Sequence, residues 1–325
     1  MKFSPYILHT LVAGVTALAI VGTVRAAGND SGDDVVVESA FAEVVNPPVP
    51  SSVTLCGQRV DLDRVDNYER LDRELTSLAY THGNTLLVLK RANRYFPQIA
   101  PILRDNGMPD DLLYLAVTES MLNPRAVSGA KAGGIWQFMP ATAKEYGLEI
   151  SDEVDERFNI EKATAAACRY FKRALSLYGG NWMSVMAAYN GGMARITRQL
   201  DAQMAKDALD LYLNEETSRY PFRVMAYKTI MENPADYGFR LTAGQLYQPR
   251  VVDVVEVSGA VDDWAVWARQ HGISYATLRD ENPWIRAPKL TNKSGKTYRV
   301  RVPRKESLSR SKSTKSVYNK NWVTK

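Results

Sequence analysis

The chain has 325 residues, 45% of them hydrophobic, with a formal net charge of +5. That length allows two domains plus tails, and the apolar content is ample for a core. Seven of the Lys and Arg residues, against one Glu, fall in residues 304–325, so the positive balance belongs to the C-terminal end and does not indicate a nucleic-acid-binding surface. Three His and two Cys residues provide no zinc-ligand spacing, and neither a phosphate loop nor a nucleophile elbow is present. No cofactor is therefore expected.

Residues 1–26 carry Lys2, an apolar run from Tyr6 to Val21 and Val24-Arg25-Ala26, the pattern of a secretory signal with a small-residue cleavage site. No Cys follows the run, so a lipoprotein route is not supported. Residues 27–54 read as a linker: acidic at Asp30, Asp33, Asp34, Glu38 and Glu43, then stiffened by Pro47, Pro48 and Pro50. In an oxidising compartment Cys56 and Cys168 could pair; two unpaired thiols are the other reading.

Residues 55–245 read as one all-helical domain. Helices are expected over 66–81 and 84–105, the second kinked or broken at Phe96-Pro97. Pro109 opens the next helix, with Asp110 and Asp111 at its positive end. Leu112, Leu115 and Ala116 then recur as a core-facing stripe whose next position is Glu119. A carboxylate lodged on an apolar stripe is desolvated, which raises its pKa, and a carboxylic acid still protonated near neutral pH can protonate a glycosidic oxygen. The other reading is a buried glutamate held by a partner. Pro124 ends the helix, and Ser128, Gly129, Gly133 and Gly134 form a loop that lets backbone approach a ligand. Trp136 and Phe138 then suit either stacking on a sugar ring or a core. No Asp or Glu occurs between Met121 and Lys144, although glycosidases ordinarily place two carboxylates across the bond.

Further helices are expected over 140–146, closed by Gly147, and over 160–178, capped by Asn159 and stopped by Gly179-Gly180. Others follow over 182–189, 193–200, 207–214 and 217–233. Residues 246–303 change pattern: a strand-like run from Val252 to Val257, helices over 262–271 and 275–282, then a strand over 298–302. Residues 304–325 read as a disordered basic tail.

Glu119-Ser120, Pro124, Ser128, Gly129-Ala130 and Gly134-Ile135-Trp136-Gln137-Phe138-Met139-Pro140 resemble the signature of soluble-type lytic transglycosylases, the goose-type-lysozyme-like superfamily. The Trp-Gln-Phe form resembles the membrane-bound lytic murein transglycosylase D branch. Ala187-Ala188-Tyr189-Asn190-Gly191-Gly192 and Glu216-Thr217 with Tyr220 resemble two later family blocks. The loop Gly129-Ala130-Lys131-Ala132-Gly133-Gly134 is longer than the family's Gly-Ala-x-Gly. The strand-helix-helix-strand segment resembles a LysM module, a small fold that binds GlcNAc-containing glycans, with Gly259 to Trp264 replacing its usual Gly-Asp-Thr-Leu opening.

The resemblance implies a mainly α fold: a lysozyme-like all-helical catalytic domain followed by a small βααβ LysM-like module. It implies an exported, periplasmic, monomeric enzyme that cleaves peptidoglycan glycan strands without water. Glu119 would be the catalytic acid and then base. Ser128 and Gln137 would hold N-acetyl and hydroxyl groups, Phe138 and Met139 would line the site, and Tyr189 and Asn190 would contact the muramoyl side. Glu216 would line the cleft and Tyr220 would support it. A hydrolytic, goose-type activity and a non-catalytic glycan-binding scaffold are the alternatives.

Overall fold

The computed structural model describes residues 44–293 and 295–324. The signal segment and most of the acidic linker lie outside these. A hairpin of β1 (Ser52–Leu55) and β2 (Gln58–Asp61) opens the fold, turned by Cys56 and Gly57, both at positive φ. The linker therefore ends earlier than its sequence suggested. Val53 and Leu55 are buried, and the Pro48 carbonyl accepts a bond from Tyr237 Oη (2.8 Å), so this stretch is anchored to the helical part.

Helix α1 (Val65–Tyr80) runs against α8 (Glu215–Glu232), the hub on which α3 (Leu112–Ser120) and α6 (Trp182–Gly191) also pack. Helix α2 (His82–Asp105) packs on α5 (Ile160–Leu177). Of the kink or break expected at Phe96-Pro97, the break does not occur: the helix runs through Pro97 and Pro101. Each proline removes one backbone bond, but Val88, Leu89, Ala92, Phe96, Ile99 and Leu103 are all fully or almost fully buried along the same helix, and that packing outweighs the loss. Asn159 caps α5 through Lys162 N (3.1 Å), as its sequence position suggested, and Asn181 caps α6 through Ser184 N (2.7 Å). The short helices α4 (Pro140–Glu145) and α7 (Met193–Ala202) flank the loop and the end of α6.

Two other helices are shorter than expected. α3 starts at Leu112 rather than Pro109, because Asp110 and Asp111 pair with Arg104 (3.0 Å) and Lys228 (2.6 Å) instead of capping it. It ends at Ser120 rather than at Pro124, because Met121 turns left-handed. The segment 207–214 forms only a 3-10 turn at Ala208–Asp210, with the Asp207 carboxylate tied to Leu209 N (2.8 Å) and Asn181 (2.9 Å).

The C-terminal module pairs β3 (Val252–Val257) with β4 (Tyr298–Pro303), antiparallel, Val252 opposite Pro303 and Val257 opposite Tyr298. Helix α10 (Tyr275–Glu281) packs on β4, and α9 (Trp264–Gln270) packs on α10. It has its own apolar core, including Trp264, Leu278, Ile285 and Val300, yet Val154 and Phe158 of the helical part are buried in that same core. Helical part and module form one compact unit beginning at Pro47.

The basic end is not a disordered tail. Trp322 is 2% exposed, its Nε1 donates to Met231 O (2.6 Å), and its ring meets Phe96 edge-on. Tyr318 N donates to Asn93 Oδ1 (2.8 Å), and Asn93 Nδ2 donates to Ser316 O (3.0 Å). Charge counting describes residues 304–325 but overlooks the two aromatic anchors. Cys56 and Cys168 are both unpaired thiols.

Candidate active site

Glu119 sits in the last turn of α3, after the buried stripe Leu112, Leu115 and Ala116. Tyr220 of α8 donates its hydroxyl to Glu119 Oε1. Burial pushes the Glu119 carboxyl from 4.5 up to about 7; the Tyr220 hydrogen bond opposes the shift, the nearby Glu216 charge adds to it, and Arg223 pulls it slightly back. Burial, with the Glu119 charge as the next cause, holds the Tyr220 and Tyr189 hydroxyls well above the usual tyrosine range, so both remain donors.

The glycine-rich loop is tied to this helix. Ser120 Oγ donates to Ile135 O (2.9 Å), and Gly133 and Phe138 exchange backbone bonds (3.0 and 3.1 Å). Gly134 has φ +78°, and a Cβ there would lie 1.8 Å from the Arg157 carbonyl oxygen, so only glycine fits. Gln137, also at positive φ, donates its amide to Gly134 O (2.7 Å) and Ala126 O (3.2 Å). That spends its donors within the loop and leaves Oε1 as an acceptor. The residues that lengthen the loop form an outer turn: Lys131 N donates to Ser128 O (2.9 Å), and Ala132 N donates to Ser128 Oγ (3.0 Å).

Trp136 is core, not a sugar platform. It is fully buried, with Nε1 donating to Thr164 Oγ1 (2.9 Å) and its ring edge-on to Phe171. The groove beside the loop has a volume of about 410 Å³ and is lined by Gln137, Phe138, Met139, Tyr189, Asn190 and Met193, among others. Phe138 is buried against the edge of Tyr189, whose hydroxyl donates to Trp136 O (2.8 Å); Met139 is exposed. Asn190 accepts from Thr217 Oγ1 (2.8 Å) and donates to Glu216 Oε1 (3.4 Å), which links the end of α6 to the start of α8. Gln137, Phe138, Met139, Tyr189 and Asn190 are thus brought together, with Tyr220 bonded to Glu119 and Glu216 bonded to Asn190. Glu119, Glu216 and Tyr220 do not themselves line this groove, and neither does Ser128, which is exposed on the loop's outer turn. Among the described residues no group of three or more His, Cys, Asp or Glu side chains is placed to hold a metal ion.

Nothing in the local sequence marks Asp155 and Arg157 as part of the site. Their charges in Asp155-Glu156-Arg157-Phe158 resemble an ordinary solvated turn, yet both are buried. Arg157 holds Asp155 through Nε (3.0 Å) and NH2 (2.7 Å), and its NH1 donates to Lys131 O (2.8 Å) and Phe138 O (3.1 Å).

Residues 97–211, which include Glu119, the loop and the Tyr189-Asn190 pair, match the family model described as the transglycosylase SLT domain. The chain carries a transglycosylase SLT domain. Residues 253–306, which include β3 to β4, match the soluble lytic transglycosylase C-terminal LysM-like domain. The chain is 33% identical over 241 residues to the membrane-bound lytic murein transglycosylase D of Escherichia coli K12, covering 73% of this chain and 51% of that protein. It thus spans about half the length of that curated relative. It is 34% identical over 144 residues to the peptidoglycan transglycosylase gp16 of Escherichia phage T7, covering 43% of this chain and 10% of that protein. The solved structure of the soluble lytic transglycosylase SLT70 of Escherichia coli aligns at 24% identity with a TM-score of 0.36, covering 40% of this chain and 23% of that one. Within the SLT domain's matched residues lie Glu119 and the groove residues 137–139 and 189–190; Glu216 and Tyr220 lie beyond its end.

Proposed function

We propose that this chain is an exported peptidoglycan lytic transglycosylase that cleaves the β-1,4 bond between N-acetylmuramic acid and N-acetylglucosamine. The observation that carries the reading is Glu119 itself: a carboxyl raised to about 7 and gripped by Tyr220 in an SLT domain. Near neutral pH such a group serves as acid when protonated and as base once it has given its proton away.

Protonated Glu119 donates to the glycosidic oxygen, the C1–O bond breaks and the N-acetylglucosamine side leaves as an alcohol. The resulting Glu119 carboxylate, steadied by the Tyr220 hydroxyl, takes the proton from the C6 hydroxyl of the same muramoyl unit. That oxygen closes on C1 to form a 1,6-anhydro ring. Glu119 ends protonated, and no water is consumed. The attacking hydroxyl is already tethered, so ring closure has the advantage of an intramolecular reaction. The groove formed by Phe138, Met139, Tyr189 and Asn190 suits a sugar ring, with the Gln137 Oε1 free to accept from an amide or hydroxyl. The LysM-like module supplies a second glycan contact, residues 1–26 direct export, and the enzyme works as a monomer in the envelope.

Glu216 supports a second reading. It is exposed, and it lies close enough to Glu119 to raise its pKa. A second carboxylate so placed could activate water, giving a hydrolase.

Wild type and Glu119→Gln, digested against purified sacculi, separate these readings by mass spectrometry of the soluble products. Fragments lighter by one water than hydrolytic ones, absent with Glu119→Gln, are the expected result. Fragments at the hydrolytic mass would favour Glu216 and water; sacculus binding without fragments would favour a scaffold.

A further inference from the structure

Residues 149–158 are bonded on one side to the C-terminal module and on the other to the active-site loop. Toward the module, Val154 and Phe158 are 1% and 2% exposed within the module's own core. Asp155 N donates to Trp284 O (2.9 Å), and Arg286 N donates to Glu153 O (2.8 Å). The Glu153 carboxylate accepts from Thr291 N (2.9 Å) and Oγ1 (3.0 Å). Glu149 is held by Lys296 Nζ (2.8 Å) and Tyr298 Oη (3.1 Å).

Toward the loop, the connection runs through one side chain. The Arg157 guanidinium grips Asp155 with Nε and Nη2 and spends Nη1 on the carbonyls of Lys131, in the loop's outer turn, and Phe138, at its end. Its own carbonyl fills the space beneath Gly134. Phe138 lines the groove, and Ile135, between these anchors, accepts from Ser120 beside Glu119.

We propose that Arg157 is a positioning residue for Glu119, and that the C-terminal module braces the active-site loop through it. The inference rests on the reading of Glu119 as the acid. It gives the module a task that is independent of any sugar it binds: it fixes residues 153–158, which fix the guanidinium, which fixes the loop. A lysine at position 157 keeps the charge, but its single ammonium cannot reproduce a fork that satisfies a carboxylate and two carbonyls together. Loosening the loop admits water to Glu119 and lowers its pKa toward the ordinary carboxylate range. The other groups facing Glu119 are Tyr220, Glu216 and Arg223 of α8 and Tyr189 of α6; of these, Tyr189 is itself tied to the loop, through its bond to Trp136 O.

The test uses the full chain with Arg157→Lys and Ile285→Ala; Ile285 is a fully buried module residue paired with Val154. Hydrogen exchange by mass spectrometry is followed in peptides covering 126–139, with α2 and α5 as internal controls. Both variants should exchange faster over 126–139 while α2 and α5 stay protected. In sacculus digestion both should lose about ten- to a hundredfold in kcat with little change in KM. The alkaline limb of the pH profile should move to lower pH, which simple loss of folded protein would not produce. Unchanged exchange over 126–139 in both variants overturns the brace, whatever the activity. Faster exchange in Arg157→Lys alone overturns the module's part in it. If wild type releases no fragments, the functional reading fails, and the exchange data still decide whether the brace exists.

Discussion

Glu119 combines two properties that its position makes compatible: a carboxyl raised to about 7 and a fixed hydrogen bond from Tyr220. Tyr220→Phe removes the bond that favours the charged form, so the alkaline limb of activity should move to higher pH. Glu216→Gln removes the repulsion and should move it to lower pH; opposite shifts in two pH profiles check the assignment. Stability should respond as well. Between 4.5 and about 7 the folded state holds a proton that the unfolded chain has released. The unfolding free energy of wild type therefore falls as pH rises through that window and levels off above it. Glu119→Gln lacks this slope and should be more stable than wild type above pH 7, by on the order of 3 kcal/mol, in denaturant unfolding at several pH values. The apolar stripe of Leu112, Leu115 and Ala116 made the raised carboxyl legible in the sequence. The Tyr220 contact could be anticipated only from resemblance, because local periodicity says nothing about a partner a hundred residues away.

At the scale of elements, the loop 126–138 is set by what lies beneath it. Gly134→Ala forces a Cβ into the Arg157 carbonyl at an unfavourable φ and should cost about 3 kcal/mol or more. Gly129→Ala, with open space around it, should stay within about 0.5 kcal/mol. Paired thermal or denaturant melts test the contrast. The glycines themselves signalled a close approach, but what they approach did not show: Arg157 and Asp155 look solvated by composition, and only the fold buries them. The same limit explains the helix ends. A break at Pro97 was among the expectations because local propensity ignores the buried face of α2, and α3 ends at Ser120 because Met121 turns left-handed.

At the scale of the whole molecule, Val154 and Phe158 of the helical part are buried in the module's core, and the C-terminal end closes over α2 and α8. Trp322→Ala should destabilise the protein by about 3–5 kcal/mol, read from denaturant midpoints, because it hollows the contact with Phe96 and leaves the Met231 carbonyl unpaired. A tail disordered in solution would make the same substitution silent. The order of helical domain and βααβ module could be read from the change in hydrophobic period. Their union in one compact unit could not, since the joining residues, Glu149 to Phe158, form neither a long helix nor an alternating strand.

In the proposed mechanism Glu119 acts first as acid and then as base, with the muramoyl hydroxyl in place of water. Digestion of purified sacculi by wild type in water labelled with heavy oxygen tests it most directly. The soluble fragments should carry 1,6-anhydro ends and no heavy oxygen. Heavy oxygen at the new C1 ends would contradict it and make the enzyme a hydrolase.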